Sequence, residues 1–283
     1  MPTEQAVWEG PPERLDRVVP ELGLARSRSR AGELIAAGKV RVDGVAAGKP
    51  GTRVRPGSRV EISGADHYVS RAAHKLLAAL DRFGVDPGGR LALDLGASTG
   101  GFTQVLLERG ARAVQAVDVG HGQLDGRLRA DARVRAVEGC NARELTAERL
   151  AALTAIPDRP SLVVADLSFI SLGLILPAIA RTASEDAELL LLVKPQFEVG
   201  RVRDGVVTNP EQWADAIRGV LRSAAEHGYA ASGIEASPIA GGRGNREFLV
   251  RFVSASKPDP TEWEHRIDAL CRGRADPSPE GAR

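Results

Sequence analysis

The chain has 283 residues, with 38 Lys+Arg against 37 Asp+Glu for a formal charge of +1, and is 43% apolar and 27% charged. That balance excludes wholesale disorder and collagen-like repeats, and the length suffices for a buried core in one large domain or two smaller ones. Two cysteines, Cys140 and Cys271, with no CxxC pair exclude a disulfide scaffold or a cysteine-built zinc site and fit a reducing cytoplasm. The opening MPTEQAVWEGPPER carries no apolar core segment and is not read as a signal peptide.

Arg14 to Leu24 has apolar residues at 15, 18, 19 and 22, a helical period broken near Pro20. Ser27 suits the N-cap of a second short helix, SRAGELIAAG, ended by Gly38. KVRVDG then reads as a strand running into a hairpin turn, and RVRPGSRVEIS as a Pro-Gly turn with another strand. From Arg26 to Arg59 nine basic residues face only Glu33 and Asp43, a local charge of +7 that leaves −6 for the remainder. Such a segment is either an electrostatic footprint for phosphates or a solvated basic face. The order of two helices, GKVRVDG and VRPGSRVEI resembles the small RNA-binding domain of the S-four ribosomal-protein type, the αL motif. The expected division is an RNA-binding domain over 1–63, a linker over 64–69, a larger domain over 70–254, and a C-terminal helix and frayed tail over 255–283.

From Leu91 short apolar runs (LALDLG, AVQAVDVG, VRAVEG, LVVADLSF, LLLLVKPQF) alternate with helical stretches, predicting a doubly wound α/β domain with a parallel sheet. GYAASGIEASPIAG and EFLVRFV read as a closing antiparallel pair. Residues 162–180 are a 19-residue run with Asp166 as its single charge, long enough to suggest a membrane span. Ser168, Ser171 and Pro177 interrupt it, and a strand, a loop and a helix start explain it better.

The first strand runs into Asp94-Leu95-Gly96-Ala97-Ser98-Thr99-Gly100-Gly101-Phe102, a glycine loop at the switch point where such folds bind ligands. Its spacing is not GxGxxG, so it lacks the pyrophosphate cradle of a dinucleotide site. Glycines let a ligand approach the backbone, and the helix start offers N–H groups to a carboxylate. Asp118 ends the next strand, 24 residues on, where it can accept from ribose hydroxyls. Asn141 follows the third strand, near where an adenine would lie. Together these residues fit S-adenosylmethionine better than NAD, and no metal set accompanies them.

Four further polar residues stand where a plain core would exclude them. Asp166 and Lys194 end buried strands, Lys75 sits on the helix before the sheet, and Glu247 opens the last strand after GGRGNR. This order, with the blocks YVSRAAHKL, DLGASTGGFT, DVGHGQL, VVADLSFISL and LVKPQFEVG, is similar to the TlyA family of ribosomal RNA 2′-O-methyltransferases, historically called hemolysins. The resemblance covers about residues 14–253. It implies a Rossmann-like class I S-adenosylmethionine-dependent methyltransferase domain of FtsJ-like type behind a small N-terminal α+β RNA-binding domain. By the resemblance Lys75, Asp166, Lys194 and Glu247 are a catalytic tetrad, and Asp94, Gly96, Ala97, Ser98, Thr99, Gly100, Gly101, Phe102, Asp118, Asn141 and Asp166 form the cofactor site. Arg14, Arg26, Arg28, Arg30, Lys39, Arg41 and Arg71 become candidate RNA contacts.

The chemistry requires a weak ribose hydroxyl to be aligned with an activated methyl and to lose its proton. Lys194 is the expected base, provided burial or a second cation favours its neutral form, with Glu247 holding the lysines in position. Three departures from the family pattern stand out: GRVRDGVV after the second lysine, His121 in DVGHGQL, and Arg246 beside Glu247. His74 reads as RNA-facing or structural, and Cys140 as a small buried residue. The expected substrate is cytidine in 16S rRNA, 23S rRNA or both within ribosomal subunits, met by a cytoplasmic monomer. The competing readings are a membrane-active hemolysin and a non-catalytic, cofactor-binding assembly factor.

Overall fold

A computed structural model of the chain describes residues 3–25, 27–63, 67–200 and 202–272, in two compact units that divide between His67 and Tyr68. The first unit contains β1 (Thr3–Val7), β2 (Glu13–Arg14), α1 (Leu15–Glu21), α2 (Arg28–Ala36), β3 (Val40–Val42), β4 (Val45–Ala46), β5 (Arg53–Val54) and β6 (Arg59–Ser63). Ser27 caps α2, its side chain accepting from the Arg30 N–H at 3.2 Å, as the sequence predicts. Asp43 and Gly44 both have positive φ, the geometry a two-residue hairpin between β3 and β4 requires. Pro20 lies inside the last turn of α1, which ends one residue later. Leu15, Val18, Val19, Leu34, Ile35, Val40, Val60 and Ile62 form the core of this unit. One element is unanticipated: Thr3–Val7, in the opening stretch to which the sequence assigns no element, pairs antiparallel along the whole of β6. Its backbone completes a sheet edge, a need that its polar composition does not advertise.

The second unit contains α3 (Ala73–Phe83), β7 (Leu91–Leu95), α4 (Gly101–Glu108), β8 (Ala113–Val117), α5 (Gly126–Ala130), β9 (Val134–Val137), α6 (Ala147–Thr154), β10 (Leu162–Ala165), α7 (Leu176–Thr182), β11 (Glu188–Val193), α8 (Pro195–Glu198), α9 (Pro210–Glu226), β12 (Tyr229–Ala236), β13 (Phe248–Ser254) and α10 (Glu264–Arg272). The strands form one sheet in the order β12-β13-β11-β10-β7-β8-β9. β7 to β11 are parallel, and β13 runs antiparallel to both β11 and β12. Every residue of β7 and β10 is buried, which is why those runs read as continuous apolar stretches. The order reverses beside β7, so the loops after β7 and β10 flank the crevice where ligands bind in this architecture.

At the opposite end of the sheet, Glu188 accepts from Arg90 (2.8 Å) and Arg251 (2.6 Å), and Arg251 also donates to the Phe83 carbonyl. The run 162–180 resolves into β10, an irregular loop, a short 3₁₀ turn and α7. No helix among the described residues is long and apolar enough to cross a membrane. The C-terminal helix, expected to fray, is held by buried Ile267 and Cys271 and by an Arg218–Glu264 ion pair of 2.8 Å. The tail from residue 273 lies outside the described residues.

Candidate active site

The loop after β7 is shaped by its first and last residues. Gly96 has φ +82, and a Cβ there would come within 3.1 Å of the Asp166 carbonyl, so only glycine lets the two strand-end loops close together. A Cβ on Gly101 would lie 2.8 Å from Ser70 Cβ and 3.2 Å from the Ala73 nitrogen. Its absence lets α4 pack tightly against the start of α3, the helix that carries Lys75. Asp94 is fully buried behind the loop and accepts from Thr103 Oγ1 at 2.6 Å, while its Oδ1 has no hydrogen-bond partner among the described residues. Burial pushes this carboxyl up to about 7, opposed by the Thr103 hydrogen bond and reinforced by the Asp166 and Asp118 charges.

A cleft of about 530 Å³ opens beside this loop. Gly96, Ala97, Ser98, Thr99, Gly101, Phe102 and Asp166 line it, whereas Asp94, Gly100, Asp118 and Asn141 do not. Asp118 accepts from the Ser98 N–H (2.8 Å) and the Gly120 N–H (2.7 Å), so its carboxylate pins the glycine loop to the second strand end. Ser98 takes a left-handed φ of +48 under that constraint. Asn141 is exposed and caps a 3₁₀ turn through the Arg143 N–H at 3.1 Å. The two close-approach glycines, the uncompensated Asp94 oxygen and the acid at the next strand end fit a ligand with a cationic amino acid end and a ribose.

Lys75, Asp166, Lys194 and Glu247 meet at one wall of this cleft. Glu247 Oε2 lies 2.7 Å from Lys75 Nζ, which lies 3.3 Å from Asp166 Oδ2; Asp166 Oδ1 lies 2.7 Å from Lys194 Nζ. Their side chains are between 3% and 13% exposed, so two cations and two anions alternate in a nearly dry row. Such a row is tolerable only because each charge has an opposite neighbour. Glu247 reaches Lys75 alone; Asp166, not Glu247, joins the two lysines, which corrects the expectation that Glu247 holds both. A Cβ on Gly241 would fall 2.6 Å from Glu247 Oε1, so the turn before β13 closes directly over that carboxylate. Asn245 fastens the same turn, accepting from the Val207 N–H (2.9 Å) and donating to the Gly205 carbonyl (2.8 Å).

Several cleft residues were not foreseen from sequence. Phe169 is 91% exposed with φ +65, and its ring centroid lies 5.3 Å from that of Phe197. Arg243 joins Arg71 on the cleft lining, both exposed. Ser168 accepts from Lys194 Nζ at 2.8 Å. Behind them Glu198, raised above the usual carboxylate range by burial, accepts from Ser171 Oγ (2.6 Å) and the Leu172 N–H (2.9 Å), tying the loop after β10 to α8. Arg246 has no place at the site: it lies over Trp213 at 4.7 Å and donates to the Leu270 carbonyl, holding α9 and α10 to β13. His74 packs edge-on to Tyr68 at 5.5 Å, and Cys140 is buried, its thiol pushed up by that burial.

In the first unit Asp16, 7% exposed, accepts from both Arg14 (2.9 Å) and Arg28 (2.8 Å). The Arg14 hydrogen bond, aided by that of Arg28 and opposed by burial, holds the Asp16 carboxyl at about 2. Arg30 pairs with Glu33 at 3.0 Å, while Lys39 and Arg41 are exposed. Arg26 lies outside the described residues.

A model of the FtsJ-like methyltransferase family matches residues 68–253, and one of the S4 domain matches residues 13–60. The 16S/23S rRNA (cytidine-2′-O)-methyltransferase TlyA of Mycobacterium tuberculosis is 50% identical over 242 residues, 84% of this chain and 88% of that protein. Hemolysin A of Brachyspira hyodysenteriae is 36% identical over 243 residues, 85% of this chain and 99% of that protein. A solved hemolysin-named structure from Streptococcus thermophilus superposes with a TM-score of 0.72 at 36% identity, covering 93% of this chain and 95% of that one. The glycine loop, the strand-end acid and the row of alternating charges thus sit within a matched catalytic domain, and the chain belongs to the FtsJ-like methyltransferase family as an S-adenosylmethionine-dependent enzyme with an S4 domain ahead of its catalytic sheet.

Proposed function

We propose that this chain methylates the ribose 2′-hydroxyl of cytidine in ribosomal RNA, acting on 16S or 23S rRNA within ribosomal subunits. The observation that carries this reading is the dry row Glu247–Lys75–Asp166–Lys194 opening onto the cleft beside the glycine loop. Such a row suits a hydroxyl that must be oriented and deprotonated. The cytidine choice rests on the name of the Mycobacterium tuberculosis relative.

S-adenosylmethionine supplies an electrophilic methyl on a sulfonium, so no further activation of the carbon is needed. Gly96 to Phe102, with Asp94 and Asp118 behind them and Asn141 beside them, hold the donor. Lys75 and Asp166 orient the ribose hydroxyl, and the Lys75 cation stabilises the negative charge developing on its oxygen. Lys194, as the amine, accepts the hydroxyl proton. Glu247 keeps Lys75 in register. Phe169, exposed beside Phe197, offers a face on which the target base stacks once it leaves its helix.

Residues 1–63 grip the RNA and residues 70–254 carry the chemistry, joined by 64–69. Asp16 presents Arg14 and Arg28 as a guanidinium pair for phosphates, with Arg30, Lys39, Arg41 and, by its sequence alone, Arg26 as further contacts of this unit and Arg71 at the cleft. All four members of the tetrad come from one chain, which supports a monomer as the acting form, and a substrate inside ribosomal subunits supports a cytoplasmic site of action.

The test is methyl transfer from labelled S-adenosylmethionine to naked rRNA and to intact subunits, with wild type and Lys194→Ala. Label recovered in an alkali-resistant dinucleotide, absent with the variant, is the expected result. Bound donor without transfer to any RNA would favour the assembly-factor reading.

A further inference from the structure

The cleft wall carries a polar group that the tetrad does not include. Ser168, two residues beyond Asp166, is exposed and lines the cleft, and its Oγ accepts from Lys194 Nζ at 2.8 Å. Among the described residues Lys194 has one other charged or polar side-chain contact, an ion pair with Asp166 Oδ1 at 2.7 Å, and its side chain is only 9% exposed. The loop bearing Ser168 is anchored beyond it, where Glu198 accepts from Ser171 Oγ and the Leu172 N–H. The backbone of that loop is thereby tied down on its C-terminal side.

An amine nitrogen has four tetrahedral directions. In Lys194 one is the bond to its own carbon, one donates to Ser168, and one lies on the side of Asp166 Oδ1, an ion-pair contact of 2.7 Å without hydrogen-bond geometry. Because Lys194 lines the cleft, the fourth is the direction open to it. It holds an N–H in the ammonium and the lone pair in the amine. With Asp166 alone, rotation about the last carbon–nitrogen bond would let that lone pair turn away. The directional hydrogen bond to Ser168 removes that freedom.

The geometry points to Ser168 as a positioning residue that fixes the rotation of the Lys194 amino group, aiming its lone pair at the ribose hydroxyl. The inference rests on the reading of Lys194 as proton acceptor. In the step it serves, the 2′-oxygen bonds to the methyl carbon, the carbon–sulfur electron pair stays on sulfur, and the hydroxyl proton moves to Lys194 Nζ. Ser168 Oγ accepts from Nζ throughout and neither gains nor loses a proton. Its contribution is orientation, which is worth rate rather than affinity.

The experiment is single-turnover methyl transfer to rRNA by the full chain, comparing wild type, Ser168→Ala and Ser168→Thr. Donor affinity is read by calorimetry, and RNA half-saturation and thermal unfolding are measured alongside. Ser168→Ala is expected to slow the transfer step by about 10- to 100-fold. Donor affinity, RNA half-saturation and melting should stay within about twofold or unchanged, since the lost group orients and does not bind. Ser168→Thr, which keeps the hydroxyl, should restore the rate to within about threefold of wild type. A wild-type rate for Ser168→Ala, equal losses in both variants, or a loss confined to binding would overturn the assignment. Full transfer by Lys194→Ala, or no transfer by wild type, would instead remove the reading beneath it, so the two failures are distinct.

Discussion

Asp94 gives the catalytic unit an unusual dependence on pH. Its carboxyl is fully buried and accepts from Thr103, its Oδ1 has no hydrogen-bond partner among the described residues, and the Asp166 and Asp118 charges push against its ionisation. Its titration point rises from an ordinary 3.8 to about 7. Below the ordinary value both folded and unfolded chains hold the proton and nothing is lost. Between there and about 7 the unfolded chain gives the proton up while the folded one keeps it, so stability falls by about 1.4 kcal/mol per pH unit. Above about 7 both are ionised and the full cost of about 4 kcal/mol persists. Asp94→Asn keeps an oxygen for Thr103 and cannot ionise. Its stability relative to wild type should therefore grow by about 3 kcal/mol from pH 5 to pH 8. Urea unfolding of the cofactor-free full chain, followed by the fluorescence of Trp213 and Trp263 in this unit, reads the difference. Curves for the two proteins that stay parallel across that range, or converge as pH rises, would refute the reasoning.

The tetrad should behave as one electrostatic unit. Lys75→Ala leaves the buried Glu247 carboxylate without its cation and Asp166 with Lys194 alone, and is expected to cost about 3 kcal/mol or more, while Lys75→Met with Glu247→Met should recover most of it; urea midpoints of single and double variants decide. Phe169→Ala removes a side chain that is 91% exposed, so melting should not change. RNA half-saturation should rise by roughly tenfold or more, the value of one lost base stack, as measured by methyl transfer against RNA concentration.

How much of this was legible in the residues differs by element. The buried strands β7 to β11 and the caps at Ser27 and Gly38 follow from periodicity and turn chemistry, which act over a few neighbouring residues. The same holds for the glycine loop, because Gly96 and Gly101 answer steric demands that no other residue meets. The strand Thr3–Val7 escaped because its stability comes from the backbone of β6, not from its own side chains. Arg246 stands out in the sequence only as a departure beside Glu247, and its place over Trp213, away from the site, comes from packing between distant elements.

The amino-acid sequence by itself determined the fold class, the order of its elements and which charged residues end buried strands, since local pattern and burial decide these. Only the tertiary structure decided that Asp166 bridges the two lysines, that Glu247 serves Lys75 alone, and that Ser168 is the second partner of Lys194. Lys75 and Asp166 are 91 residues apart. Their meeting depends on sheet order and on how closely α3 packs against α4, and neither is encoded in any short stretch of the chain.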